Sequence, residues 1–144
     1  MSDKVIFLPA GLDGCALYRM FFAHLKMAGS QFIFNPSGLN VEPLRGMKIV
    51  VVQRLSSKEN LAALNIFRNM GMKIIYDLDD DLWSVPRYNP AHGLVKQWLP
   101  GFETCAGMAD LITVSTAHLK TIVRKVLGRH CPRIEVVENA MDFA

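Results

Sequence analysis

Short runs of apolar, β-favouring residues alternate along this chain with longer stretches whose apolar residues recur at helical spacing, and that alternation restricts the folds open to it. Residues 4–9 read as a first strand, 31–34 as a short second one and 47–53 as a third. Residues 73–78, 111–114 and 134–137 read as three more. The run 47–53 is almost continuously apolar, the pattern of a parallel strand covered on both faces. Between the strands, Leu17, Met20, Phe21, Leu25 and Ala28 share one helical face, with Gly29 as the stop. Ser56 and Glu59 have capping-box spacing ahead of Leu61, Leu64, Phe67 and Met70, a helix carried to Gly71. Ser115 and Thr116 cap a helix with Leu119, Ile122, Val123, Val126 and Leu127 on one face, ended by Gly128. The order predicts an α/β fold: one parallel sheet, right-handed crossovers, helices on both faces.

Two stretches break the alternation. Asn35-Pro36-Ser37-Gly38 is a polar loop. From Asp79 to about Gly101 the chain is rich in Trp, Pro and Asn, and its length predicts a functional loop with one helix inside it.

With 144 residues, one domain with its own core is expected. A content of 51% hydrophobic and 20% charged residues is that of a folded chain. A net charge of +3 dictates no partner. The cysteines Cys15, Cys105 and Cys131 form no CxxC pair, and their odd number argues against a disulfide framework, so a reducing compartment is expected. A first strand starting at Lys4 leaves no room for a signal peptide, and no apolar run reaches the ~20 residues of a membrane span. The expected location is cytoplasmic, with contact to a membrane surface left open.

Gly11-Leu12-Asp13-Gly14 lies between the first strand and the first helix, where α/β folds hold phosphates on backbone N–H groups. It is neither a full GxGxxG nor a Walker A loop, and a plain strand-to-helix turn explains it as well. Asp77-Leu78-Asp79-Asp80-Asp81 crowds four carboxylates at the carboxyl end of a strand. Mutual repulsion should raise at least one pKa there unless cations or donors surround it, which suits a general base or an ion site. The alternative is a solvated turn in which the carboxylates cap backbone N–H groups. No His or Cys cluster accompanies them, so no metal is expected. Trp83 and Tyr88 offer an aromatic wall for a sugar or lipid, or else pin the loop to the core, and Trp98 reads as core. Arg19 points at a phosphate or carboxylate, or is a surface arginine. Lys120, Arg124, Lys125, Arg129 and Arg133 form a basic stretch without acids, more often merely solvated than bound to lipid or nucleic acid.

Three segments taken together resemble a known family. They are the glycine turn with Tyr18-Arg19; the run Tyr76-Asp77-Leu78-Asp79-Asp80-Asp81-Leu82-Trp83 with Pro86 and Asn89-Pro90; and Ala109-Asp110-Leu111-Ile112-Thr113-Val114-Ser115-Thr116 with Val136-Val137-Glu138-Asn139-Ala140-Met141-Asp142. The combination resembles the Rossmann-like N-terminal domain of GT-B glycosyltransferases of the retaining, glycogen-synthase-like superfamily, in their bacterial and phage forms. The resemblance implies that this domain holds the acceptor, and that a second domain holds the nucleotide sugar, a co-substrate rather than a cofactor. It places Gly11 and Gly14 near the donor phosphate and Asp77, Asp79, Asp80 and Asp81 along the catalytic cleft; Trp83, Tyr88 and Arg19, read from their residue types, are the candidates to hold the acceptor. Asn139 and Asp142 fall at the hinge to the second domain.

The sequence ends at Ala144, where that second domain would begin. The expectation is therefore an acceptor-side half, inactive alone, completed by a protein partner or a homodimer. The rival expectations are a non-catalytic protein-binding module and a nucleotide or nucleic-acid binder, with nucleic acid the less favoured partner.

Overall fold

The structure is a computed structural model and describes residues 4–34 and 40–139. Six strands form one parallel sheet in the order β2-β1-β3-β4-β5-β6. They are β1 (Val5–Leu8), β2 (Gln31–Phe32), β3 (Ile49–Gln53), β4 (Lys73–Leu78), β5 (Leu111–Val114) and β6 (Arg133–Val136). The second strand is half its expected length, and the polar loop after it lies outside the described residues.

The alternation of side chains across the strands divides the core in two. Val50 and Val52, Ile74 and Tyr76, and Ile112 and Val114 face α3 (Lys58–Asn69), α4 (His92–Gly107) and α5 (Ala117–Leu127) in the larger core. On the opposite face Val5 and Phe7 pack against Met20. Met20 belongs to a continuous helical run: α1 (Gly14–Ala16), a π-helical turn (Leu17–Phe21) and α2 (Phe22–Lys26). Helices thus cover both faces, and the chain is a Rossmann-like α/β domain.

The caps explain the helix starts. Asp13 accepts from the Ala16 N–H at 2.9 Å, which starts the first helix three residues before the apolar pattern suggests. Ser57, not Ser56, caps α3 through the Asn60 N–H. The side chain of Thr116 caps α5, and Gly128 ends it at φ +63°.

The largest departure from expectation is α4. It runs sixteen residues and passes straight through Pro100 and Gly101, which read as the end of an irregular stretch. A proline inside a helix removes one hydrogen bond, and Pro100 lies on an exposed position. Gly101 is required for packing: a Cβ built there would lie 1.9 Å from the Ser56 carbonyl oxygen. The helix therefore meets the loop after β3 backbone to backbone. Gly101→Ala is expected to force α4 away from that loop and to cost about 1–3 kcal/mol, read as a lowered urea midpoint with unchanged slope. An unchanged midpoint would contradict this contact.

Candidate functional site

The chain leaves β1 towards β2 on one side and returns to β3 on the other, so the β1/β3 boundary is the topological switch point of the sheet. Open α/β sheets hold ligands at such a point, beyond the carboxyl ends of the strands. A crevice of about 450 Å³ opens there. The turn after β1 (Pro9 to Gly11, Asp13) and the turn after β3 (Arg54 to Ser56) form two of its sides, and Trp98 and Phe102 of α4 form a third.

Arg54 is the centre of its electrostatics. It has a left-handed backbone, φ +45°, the only non-glycine among the described residues with positive φ. Such a conformation is costly outside glycine and clusters at functional sites. Its Nη2 donates to Asp13 Oδ2 at 2.6 Å. Its Nε and Nη1 lie 3.9 and 3.8 Å from Asp79 Oδ1 and Asp80 Oδ2, too far for hydrogen bonds. Beside it, Gln53 is fully buried at the end of β3, and neither its amide oxygen nor its nitrogen has a hydrogen-bond partner.

The four aspartates have separate fates. Asp77 is buried and bound on both oxygens. Arg19 donates to it from Nε at 2.7 Å and from Nη2 at 2.5 Å, and Thr113 Oγ1 donates at 2.6 Å. The Asp79 side chain is also buried, its Oδ1 makes no hydrogen bond, and the Cys15 sulfur lies within 4.8 Å of the carboxylate. Asp81 accepts the backbone N–H groups of Trp83 and Ser84, the capping role weighed as the alternative. Asp80 is the exposed one of the four. Burial first, then the Asp79 charge, lifts its carboxyl above the ordinary range, while Arg54 opposes them.

These positions bear on each expected site residue. Asp77 and Asp81 are spent on structure and offer no free oxygen pair for chemistry. Arg19 faces a carboxylate, not a ligand, and its Nη1 is taken by the Val137 carbonyl (2.7 Å) and Asn139 Oδ1 (2.9 Å). Asn139 is thereby tied to the first helix, and Asp142 lies outside the described residues. A phosphate at Gly11 and Gly14 is disfavoured, because the Asp13 carboxylate already occupies the helix N-terminus. Burial opposes the charge of Asp13, but the Ala16 N–H and Arg54 outweigh it and hold its pKa below the ordinary value. The Trp83 indole donates to Glu103 at 3.0 Å and borders a separate cavity of about 230 Å³, while Tyr88 is 89% exposed and lines neither space. The tryptophan that borders the crevice is Trp98, read as core from the sequence and found 44% exposed.

Arg54, Gln53 and Trp98 were not singled out for this site by the sequence. The available signal was that Gln53 and Arg54 end the most apolar strand, but nothing in the sequence said that this strand borders the switch point.

Cys15, Asp79 and Asp80 bring three ligand-type atoms within 4.8 Å of one another. The Arg54 guanidinium already supplies positive charge to both carboxylates, and the thiol is held protonated. Burial first, then the hydrogen bond and charge of Asp79, push Cys15 up to about 12 from an ordinary 9.0, against the pull of Arg54. All three cysteines are free. No helix among the described residues is long and apolar enough to cross a membrane.

Comparison with family models, with curated proteins and with solved structures returns no match.

The raised thiol gives a direct check on this geometry. A thiolate is the reactive form, so a pKa near 12 cuts its share at pH 8 about a thousandfold relative to 9.0. Cys15 should resist iodoacetamide at pH 8 by peptide mapping, and Asp79→Asn should speed its alkylation at least tenfold. Alkylation of the unaltered chain at the rate of a free thiol would contradict the Cys15–Asp79 contact.

Proposed function

We propose that this chain is the acceptor-side domain of a GT-B-type glycosyltransferase and that it seats a neutral saccharide in the β1/β3 crevice. The observation that carries the proposal is the composition of that crevice. It offers an exposed tryptophan face at Trp98, a guanidinium at Arg54 whose Nη1 makes no hydrogen bond, and the accepting carboxylate of Asp13. Sugar rings present C–H faces to an aromatic ring and hydroxyls to carboxylates and guanidinium groups. The crevice lining is as much polar as apolar, with Ser56 and Asn60 adding hydroxyl and amide groups beside the aromatic faces of Trp98 and Phe102.

Charge selects against a phosphate here. Asp13, Asp79 and Asp80 all approach Arg54, so three carboxylates surround one cation. A diphosphate would meet net repulsion, which fits a division in which the nucleotide is held on a second domain or a partner chain. Asp80 is the carboxylate we assign to accept the proton of the acceptor hydroxyl, because it is exposed and its raised pKa brings it nearer neutrality. The motif residues that suggested the family support the same loop: Thr113 holds Asp77, and Ser115 Oγ donates to the Asp79 carbonyl at 2.8 Å.

Calorimetric titration of the chain with methyl glycosides, disaccharides, UDP and GDP tests the reading. The expected result is saccharide binding that weakens about tenfold in Trp98→Ala, with no nucleotide binding. Binding of UDP or GDP with no binding of any saccharide would overturn it.

A further inference from the structure

Beside the crevice lies a second hollow of about 420 Å³, lined almost wholly by apolar side chains. Its walls are Leu12 on the turn after β1, Leu17 and Phe21 on the π-helical turn, and Phe32 and Phe34 at the end of β2. The aromatic side is built rather than incidental. Phe21 meets Phe32 edge-on at 5.6 Å between ring centres, and Phe32 meets Phe34 edge-on at 4.8 Å. Leu12 is 82% exposed and Phe34 56%, so this apolar surface faces solvent.

The two hollows share walls. Asp13 and Phe34 line both the crevice and the apolar groove. Asp13 stands at the junction with its carboxylate towards Arg54, and Phe34 continues the apolar side from one space into the other. A ligand whose polar end sits against Arg54 and Trp98 therefore has an apolar channel leading away from it.

We propose that the ligand is an amphiphilic glycoside, its sugar in the crevice and an alkyl or aryl aglycone along Leu12, Leu17 and Phe34. The inference rests on the saccharide reading of the crevice and adds the class of acceptor. Each hollow falls within the size range of small-ligand sites. Among the described residues that line it, the groove carries no cation to hold an anionic headgroup or a charged tail.

The test is a homologous series of n-alkyl β-D-glucosides and β-D-galactosides, methyl to octyl, titrated below their micelle-forming concentrations. Each methylene buried should tighten binding about fourfold until the groove is filled. Replacing the two solvent-facing leucines together, Leu12→Asn with Leu17→Gln, should flatten this dependence and leave the methyl glycoside unchanged. Circular dichroism of that variant confirms that it folds. Equal affinity for methyl and octyl glycosides would overturn this inference and leave the crevice reading standing. A chain-length gain that survives in the leucine variant would also overturn it, because the tail would then lie elsewhere. Failure of every glycoside to bind would overturn both readings.

Discussion

A guanidinium buried against a carboxylate holds the carboxyl edge of this sheet in place. Arg19 and Asp77 are almost completely removed from water, with side chains 4% and 5% exposed. Burying two charges costs several kcal/mol each unless hydrogen bonds satisfy them, and here they do. Asp77 accepts from two Arg19 nitrogens and from Thr113, and Arg19 spends its remaining donor group on Val137 and Asn139. One pair thus joins the first helical run, β4, β5 and the segment after β6. Burial lowers the affinity of Arg19 for its proton, yet the Asp77 hydrogen bonds and charge raise it further, so the guanidinium stays charged. The π-helical turn that carries Arg19 belongs to the same arrangement. Wider turns of this kind appear in short pieces at functional places, where they redirect a side chain.

The acidic loop follows from that anchor. With Asp77 fixed at the end of β4, the chain delivers Asp79 under Cys15 and Arg54, Asp80 towards solvent, and Asp81 into its own turn. Ser115 holds the loop from the neighbouring strand through the Asp79 carbonyl. At the strand starts, Asp110 accepts from the Ile74 N–H and from Lys73; the Ile74 bond first, helped by Lys73, draws its pKa below the ordinary value against the opposing effect of burial. Asp110, Thr113, Ser115 and Thr116 each hold a backbone or carboxylate in register. In the run that resembles a family signature, Thr113 and Ser115 thus clamp the end of β4 and the loop after it, while Asp110 ties the start of β4 and Thr116 caps α5. Arg54, the cation of the crevice, faces Asp13 within it and Asp79 and Asp80 behind it, and that excess of carboxylates is what the proposed preference for neutral hydroxyl groups over phosphates rests on.

The fold was legible because its signal is local. The bounds of β4 and β5 coincide with their apolar runs, and the apolar stripe of α5 marks the face that is buried. The site was legible only in part, because it is made by juxtaposition. Four aspartates within five residues announce a special loop, but the burial of Asp77 depends on Arg19, fifty-eight residues away. Arg54 looks ordinary until the strand order places it at the switch point, and Trp98 looks like core until α4 continues through Pro100 and turns that residue to the crevice. A proline and a glycine in succession signal an ending, and here the glycine is present because another backbone lies against it.

The central claim is that the buried Arg19–Asp77 pair sets the geometry of this edge, and a double-mutant cycle in urea addresses it most directly. Arg19→Met and Asp77→Leu should each cost about 3–5 kcal/mol, because each strands a buried charge, and the double variant should cost clearly less than the sum of the two. Two mild, additive effects would contradict the account and leave the pair a bystander.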